Sequence, residues 1–496
     1  MKDSIKEVKL QSLSFLIPSR KYGIDFDITK KLPIPALIEC SIRIISEIHE
    51  ILPKQLQEFF GLNNVEREIL IDQLLNTGWI TFNSVGNLEA SQKLLDWSSS
   101  GSNELVLTEI FSCSEEFVVD LLTSHIQPRS SNAPAKGLPR ILDDQITKNS
   151  IDAENIFVNQ FIRFKDCINN AHVKDYRSNL YRVCNVKHLN VTEIILSVDL
   201  VLKVDDLFGA IIEPKMTSYN ENNTKLISSS GLFSILIQHL SKIQPPQTVK
   251  MSFENYCEIT KDPELLKHYN NESNFFDMET LLKNGSSEID RKTHRIIGPI
   301  YENINKNNVV INYLKKLKDV EKLPFAIWKP ANVKLFGASA LLKEFVIEAN
   351  SLLNSYGSEV ITLFPDVSDA DNYQIKETYK NNRIGSAYFI DTSRDLNECE
   401  IFVLPGLNGF AFCQYHVTLD PKLKFPGLTV PVGYFTTDVE RVKMLWIHLK
   451  QFYTVIRNFE LKQFSSSNYQ QNKMIENTDQ IKMIVEQLMS PTTVKS

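Results

Sequence analysis

Between Asn332 and Phe459 the apolar positions switch repeatedly between short continuous runs and a spacing of three and four. Val333–Phe336 reads as a short apolar strand followed at once by Gly337. Leu341, Leu342, Phe345, Val346, Ala349, Leu352, Leu353 and Tyr356 then recur at helical spacing. Ser339 opens that helix, and Gly357 sits where a left-handed C-cap belongs. Glu359–Phe364 follows as a second strand, so the three pieces predict a right-handed parallel crossover. Further strands are predicted at Ile384–Asp391, Ile401–Leu404, Phe410–Asp420 and Leu428–Tyr434. A long helix closes the stretch, with Thr437 and Glu440 spaced as a capping box. Its buried stripe is Val442, Leu445, Trp446, Leu449, Phe452, Tyr453 and Ile456. The expectation is an α/β domain with a mixed sheet over residues 326–463.

Nearer the start, Val8–Ile17 alternates as a strand and Pro18–Lys31 reads as a polar link. After Pro33 and Pro35 a helix carries Ala36, Leu37, Cys40, Ile44, Ile45 and Ile48 inward. Lys54–Phe60 is a second helix, turned by Gly61, Asn63 and Asn64. Val65–Asn76 is a third, with Ile69, Leu70 and Leu74 buried. Gly78–Phe82 and Val85–Ser91 then form two strands around a Gly-Asn turn, before a helix at Gln92–Trp97. Three helices, a Gly-led strand, a turn and a returning strand resemble winged helix-turn-helix modules over about residues 33–97. That resemblance implies a third helix in the DNA major groove and a wing on the backbone. The side chains facing out would be Asn64, Glu66, Arg67, Glu68, Asp72 and Gln73, of which Asn64, Arg67 and Gln73 are the candidate nucleic-acid contacts. Three of the six are acidic and one is cationic, whereas phosphate recognition draws on several Lys and Arg. A module that docks protein, or that is purely structural, stays open beside the DNA reading.

Glu104–Ser112 reads as a strand and Glu115–His125 as a helix. The Pro- and Ala-rich stretch at 128–140 has no periodic apolar face and predicts a linker between an N-terminal domain, 1–127, and a mixed α+β middle domain, 141–325. In the middle domain a helix is expected at Ala153–Ile168 and two strands around a turn at Asn190 within Tyr181–Val204. A helix at Leu232–Ile243 stops at Pro245. Leu314–Lys318 is basic but alternates with Leu beside Asp319 and Glu321, the signature of a solvated helix face. Residues 464–496 read as a polar link and a terminal helix, 473–489, with Met474, Ile481 and Leu488 seven apart, a face for the body or for self-association.

Composition bounds the function classes. Over 496 residues, 43% apolar and 23% charged residues describe a globular chain long enough for about three domains. The formal charge of −6 gives no global cationic field, so nucleic-acid binding would need a local patch. Seven scattered cysteines without Cys-x-x-Cys spacing argue against a zinc site and a disulfide framework. No apolar run is long enough to cross a membrane and no apolar signal core is present, so a cytoplasmic protein without membrane association is expected.

Candidate chemistry concentrates in two places. Asp366, Asp369 and Asp371 follow one strand and Asp391 ends another; carboxylates at such strand ends can hold a metal, though Asp and Ser also make ordinary turns and caps. His416 lies on a strand, with Pro431–Tyr434 ending the next strand before the long helix. This order resembles the C-terminal half of a phospholipase D-like domain, which implies a nucleophilic histidine in a His-x-Lys motif and a lysine holding phosphate. Thr418 stands where that lysine belongs, and Tyr434, Phe435 and Thr436 replace the family's Gly-Ser-x-Asn continuation, so a degenerate member is implied. Walker, nucleophile-elbow, zincin and dinucleotide motifs are absent, and no cofactor is expected. The resulting expectation is a non-enzymatic scaffold binding DNA or a protein, of the kind found in transcriptional regulators and accessory subunits of prokaryotic antiviral defence systems. The rival is a phosphodiester hydrolase using His416 or Asp366, Asp369 and Asp391, and a third reading is an assembly protein.

Overall fold

The computed structural model describes residues 6–99, 106–128, 137–141, 151–205, 209–217, 221–244, 251–302, 306–316, 326–356, 360–366, 375, 379, 386–391, 397–405, 409–455 and 463–464. Helices and several sheets are distributed over more than one compact unit, the multidomain α/β class predicted. One unit holds Lys21–Val119 and Ser150–Asn190; the other holds Met1–Arg20, Asp120–Asn149 and Val191–Ser496.

Strand β1 runs over Lys6–Pro33 without a break, so the expected link at 18–31 is strand instead. Its second half alternates: Tyr22, Ile24, Phe26 and Ile28 are buried, and the charged residues between them mask a period of two. After it come α1 (Ala36–Ile48), β2 (Glu50–Ile51), α2 (Pro53–Phe60), α3 (Asn64–Asn76), β3 (Ile80–Phe82), β4 (Leu88–Ala90) and α4 (Gln92–Ser99). The short strands pair in the order β2-β4-β3, the arrangement of a winged helix. Ile42, Ile45, Leu56, Leu70, Leu74, Leu88 and Leu94 form its core. Ile45, Leu70 and Leu74 are buried as expected, but the rest of each inward face differs. On α1 it is Ile38, Ser41, Ile42 and Ile45 that point in; on α3 Ile71 is buried and Ile69 is 52% exposed.

Strand β5 (Val106–Asp120) occupies the span expected to change from strand to helix. Phe117 and Val119 are both fully buried two residues apart, and the Val-Val step favours extended backbone. After β6 (Ile126–Gln127), helix α5 (Ala153–Phe164) starts at Asp152, whose carboxylate accepts from the Asn155 N–H. Phe157 of α5 meets Phe26 at 5.1 Å and Phe117 at 5.3 Å between ring centroids. Strand β7 (Ser178–Asp205) is also continuous, with no turn at Asn190; nothing between Ser178 and Asp205 is Gly or Pro, so nothing breaks the pleat. β8 (Gly209–Met216) pairs antiparallel with its end.

The second unit is built on a nine-stranded mixed sheet. Its members, after the hairpin β9 (Tyr269–Asn270) and β10 (Phe275–Phe276), are β11 (Glu288–Asp290), β12 (Thr293–Ile297), β13 (Ala326–Lys329), β14 (Val360–Asp366), β15 (Ser386–Asp391), β16 (Cys399–Leu404), β17 (Phe410–Thr418), β18 (Thr429–Thr436) and β19 (Gln463–Phe464). The order is β11-β12-β18-β17-β16-β13-β14-β15-β19. β13, β14 and β15 are parallel and the remaining pairs antiparallel. The parallel crossover is present, but its first strand is Ala326–Lys329; 333–336 is a turn in which Leu335 takes φ 64°. The crossover helix, Ala340–Ser355, is capped by Ser339 as predicted. The closing helix, Val439–Val455, is capped by Asp438, whose carboxylate accepts from the Arg441 N–H at 3.0 Å, in place of Thr437. Val442, Leu445, Trp446 and Leu449 are buried as expected. Gly357, Asp369, Asp371 and the helix expected at 473–489 lie outside the described residues.

Candidate binding surfaces and a sealed histidine

The winged helix is held by local chemistry that leaves one face of α3 outward. Gly61, at φ 67°, ends α2, and Asn63 starts α3: its side chain accepts from the N–H groups of Val65 and Glu66, while Glu66 accepts from the Asn63 N–H. Gln57 ties the two helices together. Its amide donates to Asn64 Oδ1 at 3.1 Å, and its carbonyl accepts from Arg67 Nη1 at 3.0 Å. Arg67 also pairs with Glu68. Asn64 and Arg67 are thus brought together through Gln57, while Gln73 stands exposed about two and a half turns further on.

Each cation of this module is engaged. Arg43 pairs with Glu39 at 2.7 Å and lies over the Trp97 ring; Lys93 sits 4.4 Å above Trp79. Lys54 stands 3.9 Å from Glu58. Residues 34–99 contain these four cations against nine carboxylates, a formal balance of −5. The outward residues on α3 are Val65 (69% exposed) and Ile69, one turn apart, beside Glu66, Glu68 and Asp72. Phe59, also 69% exposed, ends α2.

In the second unit His416 sits on β17 opposite Pro431 of β18 and is buried. Phe336 meets it edge-on at 5.4 Å. Its backbone N–H donates to the Glu398 carbonyl, but neither ring nitrogen has a hydrogen-bond partner among the described residues. Burial first, and the charge of Lys329 second, press its pKa down to about 3. Lys329, from β13, is also buried and donates to the Cys399 carbonyl at 3.0 Å, with its pKa brought down to about 8 by burial. Glu400 accepts from Trp328 Nε1 at 3.2 Å and the Ile300 N–H at 3.3 Å, and burial pushes its carboxyl up to about 8. A histidine nucleophile needs an open face and an acceptor that orients the ring. His416 has a neutral ring behind an aromatic side chain and, among the described residues, no orienting acceptor.

The sequence places no lysine two positions after His416, and the cation beside it comes from another strand altogether. Lys329 could have been found from Ala326-Ile-Trp-Lys329, a single charge at the end of an apolar run that has to be buried. Just outside the carboxyl ends of β13 and β14 a cavity of about 900 Å³ is lined by Val333, Phe336, Phe364, Pro365 and Tyr379, with Lys242 and Lys334 also lining it. This is where open α/β sheets place ligands. Asp366 and Asp391 are register partners at the ends of β14 and β15. Among the described residues no group of His, Cys, Asp and Glu is arranged to hold a metal, and no helix is long and apolar enough to cross a membrane.

No family model matches the chain, and no curated protein matches it. Among solved structures it is similar to that of TrmBL2, an archaeal chromatin protein, at 10% identity and a TM-score of 0.20, over 49% of this chain and 71% of that one. A likeness of that strength carries no argument. The chain's own features are an acidic, apolar winged-helix face, a sealed imidazole and a cavity at the strand ends.

Proposed function

We propose that this protein is a non-enzymatic scaffold that holds a macromolecular partner, nucleic acid or protein, on its winged helix. The observation that supports this is where apolar surface is left in water. Of the twenty large apolar side chains that stand exposed among the described residues, nine lie between Leu37 and Leu95. Single exposed apolar residues are ordinary; the adjacent pair Val65 and Ile69, one turn apart on α3, gives this module an apolar stripe. The readings drawn from architecture, regulation of transcription or a part in antiviral defence, share this requirement of a partner held on the module.

The hydrolase reading keeps one favourable observation, the register pairing of Asp366 with Asp391. Both readings are tested together by incubating full-length protein with labelled oligonucleotides and a chromogenic phosphodiester, with and without Mg²⁺ or Mn²⁺. No turnover is expected, and His416→Ala and Asp366→Ala should change nothing. Metal-dependent cleavage lost in Asp366→Ala, or metal-free cleavage lost in His416→Ala, would replace the scaffold with an enzyme.

A further inference from the structure

Resting on the scaffold reading, we infer that the outward face of α3 docks a basic amphipathic segment of a partner protein. Val65 and Ile69 present one apolar stripe, and Phe59 adds an exposed ring at the end of α2. Glu68 and Asp72 follow Val65 and Ile69 by three positions each and so share that side of α3; Glu68 also holds Arg67, and Glu66 beside them caps the Asn63 N–H. A helix whose apolar residues recur every three or four positions, flanked by Lys and Arg, satisfies both features at once.

Charge excludes the other occupants. Duplex DNA carries about one negative charge per 1.7 Å, and it would meet a module of formal charge −5 whose four cations are already paired or stacked. An anionic lipid surface meets the same repulsion. A second copy of this face repeats the same carboxylates, so face-to-face self-association sets like against like. Arg67 in particular is held by Glu68 and Gln57, and freeing it for phosphate would cost both contacts.

The test uses full-length protein and two labelled synthetic peptides, a Leu/Lys amphipathic helix and its Leu/Glu counterpart, followed by fluorescence anisotropy. The Leu/Lys peptide is expected to bind and the Leu/Glu peptide not. Val65→Ser with Ile69→Ser should weaken binding at least about tenfold at unchanged charge, and Glu68→Gln with Asp72→Asn should weaken it and flatten its salt dependence. All four positions are solvent-facing, so an unchanged melting temperature separates lost docking from lost folding. Binding indifferent to Val65 and Ile69 overturns the inference, as does no peptide binding at all. Duplex DNA taken up and weakened by Arg67→Ala also overturns it, yet leaves the scaffold standing. Cleavage that depends on His416 removes the scaffold reading while this titration keeps its own outcome.

Discussion

An imidazole shut away from water behaves as an apolar ring that has given up its proton. For His416 the folded-state pKa of about 3 lies below the ordinary 6.5, so the unfolded chain binds a proton that the folded one refuses. Its contribution to stability is therefore present above pH 6.5 and is lost as pH falls toward 3. His416→Gln should give a flatter acid limb in urea denaturation, by roughly 4 kcal/mol across that window; identical limbs would refute the sealed ring. A buried ion pair makes a sharper case. Asp262 is 0% exposed, caps the turn that begins at Pro263 and pairs with Arg295 through both oxygens. Asp262→Ala strands a buried guanidinium and should cost about 3–5 kcal/mol by chemical denaturation. His416 was legible in the sequence as a histidine on a predicted strand with a further strand predicted on either side. Lys329 was not, because the Cys399 carbonyl it donates to is about seventy residues away and only sheet order joins them.

Elements were legible where local chemistry and period agree. α2, α3 and the crossover helix carry their caps and breakers in sequence, and their ends were predicted to within a residue or two. Long strands were not: β1, β5 and β7 interleave charged residues with buried ones, and this mixture resembles a link or a helix until pairing imposes a period of two. Strand β18 gives an element-level prediction. A Cβ on Gly433 would lie 2.0 Å from the Cys413 carbonyl oxygen and 2.8 Å from the Tyr256 hydroxyl, which itself donates to that carbonyl. Gly433→Ala should destabilise the sheet by about 3 kcal/mol or more, seen as a lowered urea midpoint; a neutral outcome would mean that β17 and β18 are less closely joined. On α3, Asn63→Ala removes two capping bonds and should cost about 1 kcal/mol, with faster amide exchange concentrated in the first turn of the helix.

For the whole molecule the deciding quantity is the sign and placement of charge. The chain is acidic overall at −6, and the winged helix carries −5 within 34–99. Shape and charge point to different partners; phosphate contacts supply essentially all non-specific DNA affinity, so the acidic charge supports the protein partner inferred above. The face that matters was half legible: the acidic residues on α3 were evident from sequence, whereas Ile69 was expected inside and stands in water. The most direct measurement is a salt titration of full-length protein against a labelled random-sequence duplex, beginning at low ionic strength. Docking of a basic protein segment on α3 predicts no saturable binding at any salt concentration, with Arg67→Ala indistinguishable from wild type. Saturable binding that falls steeply with log salt and loses about one unit of slope in Arg67→Ala would contradict it.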